Sequence, residues 1–142
     1  MSTAVAAPNL TLAKPNTSNA ARWTGRVLTG IAIAFLAFDA VGKLLVLQPV
    51  VEGTQQLGFP VSSIFGIGLA LAVCTVLHLV PRTSIFGAVL LTGYLGGAVA
   101  ANVRVGNPMA SHTLFPVYFA VILWLGLYLR DSRARALIAP RG

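Results

Sequence analysis

The chain has 142 residues, of which 56% are hydrophobic and only 9% are charged, and its formal net charge is +7. A soluble domain carries about 25% charged residues, so a globule of this composition could not cover its surface with polar groups in water. Ten basic against three acidic residues would also suit a nucleic-acid-binding protein. Such proteins spread their basic residues over one face with aromatics between them, whereas most basic residues here lie in the tails and in one tight turn. The composition therefore indicates a single-domain membrane protein and argues against a nucleic-acid partner.

Four long apolar stretches follow an N-terminal segment that is rich in Ala, Thr, Asn and Pro. A helix needs about 20 apolar residues to cross a hydrocarbon layer of about 30 Å. Spanning β-strands would be about half as long and would alternate polar with apolar residues. The sequence therefore predicts an all-α polytopic membrane protein, a bundle of four transmembrane helices in the lipid bilayer. The helices are expected at about 24–47, 61–80, 83–103 and 111–129.

The rest of the chain divides around these helices. Residues 1–21 lack apolar periodicity, which predicts a disordered tail. Residues 22–130 are predicted to form the transmembrane domain, and residues 131–142 a basic tail. Gly and Pro predict that the connections at 48–60 and 104–110 are loops.

The start of the fourth helix carries its own signals. Pro116 is expected in the first turn, where a missing N–H costs little. Ser111 or Thr113 is expected to cap that turn through its hydroxyl.

The basic residues are distributed unevenly between the two ends of the predicted bundle. If the N-terminus lies in the cytoplasm, only Lys43 and Arg104 of the ten basic residues lie at the outer end. An excess of Lys and Arg marks the cytoplasmic side of a membrane protein. We therefore predict that both termini are cytoplasmic. The inner-end residues are Lys14, Arg22, Arg26, Arg82, Arg130, Arg133, Arg135 and Arg141.

Small residues recur every four positions on the third predicted helix, at Gly93, Gly97 and Ala101. Residues of this size at this spacing let helix backbones approach closely inside lipid. The pattern predicts that the third helix is the central one. The small residues would either pack within the chain or form the seam of a homodimer.

Two charged residues lie inside the first predicted helix. Asp39 and Lys43 are four residues apart, a spacing that places them on one face in the favourable order for an ion pair. Each alone would cost about 2.5–3.5 kcal/mol at the centre of a bilayer. Two interpretations are open. The pair marks a functional site, or Lys43 extends its amine to the headgroups and Asp39 balances its charge.

The predicted topology brings more polar residues to the same outer end, from the first connection and from the third and fourth helices. Charged groups near lipid are expensive unless they face the bundle interior or a water-filled cavity. We therefore expect a polar pocket that opens to the outer face. Its expected lining is Asp39, Lys43, Glu52, Gln56, Asn102, Arg104 and His112.

The sequence supports no haem or metal site. His78 and His112 lie near opposite ends of their helices, and a rise of about 1.5 Å per residue separates them by most of the membrane. The chain has no paired cysteines and no pattern of closely spaced metal ligands. Cys74 is the only cysteine, which excludes an intramolecular disulfide and a CxxC redox pair. No catalytic residue is assigned from the sequence.

Seven short stretches of the chain match the motifs of one known family. They lie at 38–43, 50–53, 57–60, 74–83, 91–97, 104–106 and 111–116. Together they resemble the DoxX-like family of small bacterial membrane proteins, and the resemblance covers about residues 22–138. Relatives often carry a histidine where this chain has Asn102, and the difference removes a titrating group from the expected pocket.

The resemblance implies a four-helix membrane bundle in the bacterial inner membrane. The founding relatives look like a membrane subunit of a thiosulfate:quinone oxidoreductase, so a quinone is implied here by family analogy alone. A small transporter or channel is a third alternative, but four short helices without a visible repeat make alternating access hard to build. Two hypotheses are favoured over it. The chain is a non-catalytic binding or accessory subunit with a polar outer-face pocket. Alternatively, it is the membrane component of an oxidoreductase that handles a quinone or a small lipophilic substrate with a membrane redox partner.

Overall fold

The computed structural model describes residues 18–139. Within this range the chain is helical and contains no β-strand. A single π-helical turn, Met109–Thr113, precedes the fifth α-helix. The α-helices are α1 (Asn19–Leu44), α2 (Gln48–Gln56), α3 (Val61–Leu79), α4 (Ser84–Arg104), α5 (Phe115–Arg130) and α6 (Ser132–Ile138).

Four helical segments of the described chain are long and apolar enough to cross a membrane. They are α1, α3, α4 and the stretch Met109–Arg130, which joins the π-helical turn to α5. Large apolar side chains point outward from them, and Phe38 is 73% exposed. In lipid such exposure has no hydrophobic cost. The prediction of an all-α, four-helix membrane bundle is confirmed.

The first helix begins earlier than predicted. The Ser18 hydroxyl accepts a hydrogen bond from the Ala21 N–H at 3.2 Å, which satisfies one of the free donors at the start of a helix. Residues 19–21, expected in the tail, therefore belong to α1, while the predicted tail as far as residue 17 lies outside the described residues. The helix ends at Leu44, just before Val46 takes a positive φ of 52°.

Two segments predicted without helix are helical. The prediction of a loop at 48–60 is wrong over α2. Pro49 is compatible with this helix, because it lies in the first turn, where proline is tolerated. Gly58, with a φ of 83°, follows the end of this helix. The tail after residue 130 contains α6, whose start is capped by the Asp131 carboxylate as it accepts from the Arg133 N–H at 2.9 Å.

The start of α5 agrees with the sequence only in part. Pro116 lies in the first turn as expected. The expected hydroxyl cap is wrong, because Leu114 occupies the capping position and no side chain bonds there. The Thr113 hydroxyl instead donates to the Asn107 carbonyl at 3.2 Å. The π-helical turn supplies the backbone hydrogen bonds that lead into α5.

The spanning helices form a closed ring in the order α1, α3, α4, α5. Packing is most extensive between α1 and its two neighbours, α5 and α3, and α4 lies diagonally across from α1. The core between them includes Leu36, Leu71, Leu91 and Leu123. The prediction that the third spanning helix, α4, is central is therefore wrong.

Glycines bring the helices together at the end where the described chain begins. A Cβ atom at Gly25 would lie 2.8 Å from the Gly126 carbonyl oxygen, so α1 and α5 touch through their backbones. A Cβ atom at Gly87 would collide with the backbone of His78, where α3 meets α4. We call this end of the bundle the packed end.

Candidate ligand-binding cavity

A partly open cavity of about 450 Å³ lies toward the other end of the bundle, between α1, α4 and α5 and beneath the connection from α2 to α3. Its walls are mostly apolar. The lining residues are Phe35, Leu36, Asp39, Lys43, Thr54, Leu57, Phe59, Ile67, Gly93, Tyr94, Leu95, Gly97, Ala98, Ala101, Phe115, Pro116 and Phe119.

The small residues of α4 leave this space. Gly93, Gly97 and Ala101 all line the cavity. A Cβ atom at Gly93 or Gly97 would meet no packing neighbour within 4 Å. The stripe therefore does not bring two helices of this chain into contact at these glycines. The expectation that it packs within the chain is wrong at Gly93 and Gly97. The stripe lines a void between the diagonal helices α1 and α4.

Aromatic rings form one wall of the cavity. Phe35 of α1 stacks on Phe119 of α5 with ring centroids 4.5 Å apart and an interplanar angle of 29°. Phe115 meets Phe35 edge-on at 5.5 Å. Tyr94 of α4 adds a further aromatic side chain to the cavity lining, which it shares with Asp39. Such walls suit a flat ring, because aromatic groups prefer offset-stacked and edge-to-face contacts.

The predicted ion pair is present on the α1 wall. Lys43 Nζ donates to both carboxylate oxygens of Asp39 at 2.5 Å. The Lys43 side chain is 11% exposed and the Asp39 side chain 31%. Gly68 makes this burial feasible, since a Cβ atom there would lie 2.6 Å from the Lys43 Cβ. The close approach of α3 at Gly68 encloses Lys43 within the bundle.

Residues after α2 form a roof over the cavity. Leu57 and Phe59 line it from the connection to α3. Arg104 does not line the cavity but fixes this roof, because its Nη2 donates to the Leu57 carbonyl at 2.8 Å. Its guanidinium also lies 5.9 Å from the centre of the Phe59 ring. Arg104 thus ties the end of α4 to the α2–α3 connection.

Asn102 is buried, and its side chain forms hydrogen bonds with other residues of the chain. Its Nδ2 donates to the Ala98 carbonyl at 2.9 Å, and its Oδ1 accepts from Asn107 Nδ2 at 2.7 Å. These bonds hold the turn that follows α4. Asn102 is not among the residues that line the cavity.

The remaining expected pocket residues lie on the surface. Glu52 and Gln56 are exposed on α2. His112 is exposed in the π-helical turn, where its Nδ1 lies 2.8 Å from the Ser111 hydroxyl. The structure therefore brings Asp39 and Lys43 into the cavity and leaves the other expected pocket residues outside its lining. The role of all seven in binding stays a prediction.

Sequence reasoning missed the aromatic wall. Phe35, Asp39 and Lys43 are spaced four residues apart along α1, and Phe115 and Phe119 repeat that spacing on α5. Residues four apart share a helix face. The sequence could therefore have predicted that Phe35 lies on the same face of α1 as the ion pair. Nothing in the spacing shows which face of α4 would be left unpacked.

A separate polar cluster lies at the packed end. His78 is fully buried, and its Nδ1 lies 2.9 Å from the Ser84 carbonyl. That carbonyl can only accept, so Nδ1 carries the proton and Nε2 is left to accept from Arg130 Nη2 at 3.4 Å. Within residues 18–139 no group of three or more His, Cys, Asp and Glu could hold a metal ion.

The Asp131 carboxylate joins α6 to this cluster. It accepts hydrogen bonds from the Arg133 side chain and, at 3.4 Å, from the Ser84 hydroxyl. The bonds from Arg133 hold the pKa of the Asp131 carboxyl below its usual value. Arg133 also donates to the Pro81 carbonyl between α3 and α4. The connection from α5 to α6 is thereby fixed against the turn that joins α3 to α4.

Four spanning helices in a closed ring, with a partly open cavity between them, define a multi-pass membrane protein of the four-helix type. The model of the DoxX-like family matches residues 27–126, and the chain belongs to this family. No curated protein and no solved structure matches the chain. The resemblance seen in the sequence is confirmed.

Proposed function

We propose that this protein is a non-catalytic binding or accessory subunit that holds a small lipophilic molecule in the cavity beside Asp39 and Lys43. We place it in the bacterial inner membrane with both termini in the cytoplasm, because the basic residues concentrate at the packed end. The observation that carries the proposal is an apolar, partly aromatic cavity with an ion pair on its wall.

The size and walls of the cavity suit such a molecule. Ligand pockets have volumes of about 300–1,000 Å³ and are mostly apolar with a few well-placed polar groups. A volume of about 450 Å³ lies in this range. Phe35, Phe119 and Tyr94 would contact a flat apolar ring. Lys43 supplies donors and Asp39 supplies acceptors for one polar group of the ligand.

The ion pair favours binding over proton transfer. Lys43 already donates to both carboxylate oxygens of Asp39, so the two side chains satisfy each other. A stable pair in a largely buried position is better suited to orient a polar group than to exchange protons with it.

A second candidate function rests on the aromatic wall. A quinone is a flat ring with two carbonyl acceptors, and it would place one face against Phe119 and one oxygen toward Lys43. The chain would then be the membrane component of an oxidoreductase whose partner supplies or removes electrons. This candidate predicts that the bound molecule changes its absorbance on reduction by borohydride.

The test is to purify the protein in nanodiscs and identify the small lipophilic molecules that remain bound by mass spectrometry. G93L places a bulky side chain in the cavity, whereas G96L adds the same side chain to α4 outside the cavity lining. Neither site has a packing neighbour within 4 Å of a Cβ atom, so the two variants form a matched pair.

We expect one compound to be enriched with the wild type and with G96L and to be lost with G93L. Equal amounts of the compound in both variants would show that it does not lie in the cavity. If nothing but bulk phospholipid is recovered with any of the proteins, the binding function is wrong.

A further inference from the structure

The packed end carries a strong excess of positive charge. Of the three acidic residues in the chain, Asp39 pairs with Lys43 beside the cavity and Glu52 lies on α2. Only Asp131 remains at the packed end. The arginines of the described chain at this end are Arg22, Arg26, Arg82, Arg130, Arg133 and Arg135.

Helix packing forces two of these arginines together. The α1 backbone at Gly25 touches α5 at Gly126, and a Cβ atom at Gly25 would also lie 3.2 Å from the Arg130 backbone nitrogen. Arg26 follows directly in the chain, so it lies at the same contact between α1 and α5 as Arg130. Backbone contact through two glycines thus places two positively charged residues at one helix contact.

The protein leaves this pair of guanidinium groups poorly neutralised. Arg130 donates to His78 Nε2 at a long 3.4 Å. Its Nε–H is buried and has no acceptor among the described residues. The Asp131 carboxylate attracts Arg130 electrostatically, but it forms no hydrogen bond to Arg130, and both of its oxygens accept hydrogen bonds from Arg133. Arg26 is exposed and rests 5.6 Å from the centre of the Trp23 ring.

The pair lies at the depth of a membrane interface. Arg130 is the last residue of the fourth spanning segment, and Arg26 lies near the start of the first. Trp23 beside it is 63% exposed, and exposed tryptophans concentrate at the headgroup level. Phospholipid phosphates lie at this level, and a guanidinium group matches a phosphate through paired hydrogen bonds.

We propose that Arg26 and Arg130 form a phosphate-binding site at the packed end, which the headgroup of an anionic phospholipid fills in the membrane. The ligand class is a phosphate group that carries a net negative charge. A zwitterionic headgroup is a poorer ligand, because its own cation opposes the arginines. This site is separate from the cavity and does not depend on the proposed function.

The test uses native mass spectrometry of the full-length protein in a neutral detergent, with phosphatidylglycerol and phosphatidylcholine as probes. R26Q removes one charge from an exposed residue that contacts the Trp23 ring. R82Q removes the same charge at the same end, from the exposed turn between α3 and α4. R26K keeps the charge but loses the flat, two-donor geometry.

We expect wild-type protein to retain phosphatidylglycerol in preference to phosphatidylcholine. R26Q should weaken retention about fivefold, as expected for one arginine at an anionic surface, and R82Q should leave it nearly unchanged. R26K should fall between the wild type and R26Q. Because Arg26 is exposed, these variants are expected to fold, which an unchanged unfolding temperature would verify.

Inorganic phosphate separates the two sources of the ligand. If it displaces phosphatidylglycerol from the wild type and raises the unfolding temperature of the wild type but not of R26Q, the site takes soluble phosphate as well. If it does neither, the ligand is the lipid headgroup. Equal losses in R26Q and R82Q, or no preference for phosphatidylglycerol, would overturn the proposal, because diffuse charge would then explain any binding.

Discussion

Glycine plays opposite roles at the packed end and along the α4 wall of the cavity. At the packed end, Gly25, Gly87 and Gly126 bring helix backbones into contact. On the α4 wall, Gly93 and Gly97 face a void. The open space belongs to the α4 wall, because on the α1 side of the cavity Gly68 again brings two helices into close contact. The comparison shows that small residues in a membrane helix predict either contact or cavity, and that the helix across the bundle decides which.

The largest expected effect comes from a substitution that disrupts helix contact at the packed end. G87A places a methyl group against the backbone of His78, and we expect it to lower the free energy of unfolding by about 3 kcal/mol, as overpacking does. G93A is the matched change beside the cavity. It should be neutral or should stabilise the protein by up to about 1 kcal/mol, since alanine is the better helix former. Unfolding in mixed detergent micelles measures both, and equal destabilisation would contradict the difference between the ends.

The second effect concerns the charged wall of the cavity. D39A leaves Lys43 largely buried without its partner, and we expect a loss of about 3 kcal/mol. The double variant D39A/K43M removes both charges and should lose clearly less, about 1 kcal/mol. A double-mutant cycle measures the coupling. Strictly additive losses would show that Asp39 and Lys43 act independently and that the pair does not hold the wall together.

The third effect comes from a substitution that should loosen the roof of the cavity without changing a lining residue. R104A removes the hydrogen bond to the Leu57 carbonyl and the contact with Phe59. We expect about fivefold weaker retention of the cavity-bound compound, which corresponds to the loss of one ordinary hydrogen bond of about 1 kcal/mol. R82A, an exposed arginine at the packed end, is the control. Unchanged retention in R104A would mean that the roof does not confine the ligand.

The smallest effect concerns the connection to α6 at the packed end. Hydrogen bonds from Arg133 lower the pKa of the Asp131 carboxyl in the folded protein. A carboxyl with a lowered folded pKa stabilises the fold above its unfolded pKa of about 3.9, and this contribution is lost as the pH falls further. The unfolding midpoint should therefore drop by about 2 °C more on acidification in the wild type than in D131N. Identical pH profiles of the two proteins would contradict the role of Asp131.

The sequence predicts the bundle well because each spanning segment must be long and apolar in lipid, whatever its neighbours are. It also predicts the Asp39–Lys43 pair, because a spacing of four residues fixes a shared helix face. The short helix α2 is not predicted, since Pro49 indicates a loop as readily as the first turn of a helix. The tail helix α6 is not predicted for a different reason. It packs against the α3–α4 turn, and such a tertiary contact is not visible in the local sequence.

The lining of the cavity is predictable only in part. Glu52, Gln56 and His112 lie at the expected end but point into solvent, because the rotation of short segments about their axes depends on tertiary packing. Arg104 lies at the expected end and fixes the roof instead of lining the space. The void itself depends on α4 standing diagonally across from α1, and the ring order of the helices is not encoded in any local pattern.

The most direct measurement is an experimental structure of the protein in a lipid nanodisc, with wild type and G93L compared. We expect non-protein density between α1 and α4 in the wild type, with its polar end near Lys43 Nζ and a flat part against Phe119. In G93L that density should be absent while the helices keep their positions. A wild-type structure in which α4 has closed onto α1 and no space remains would contradict the binding function.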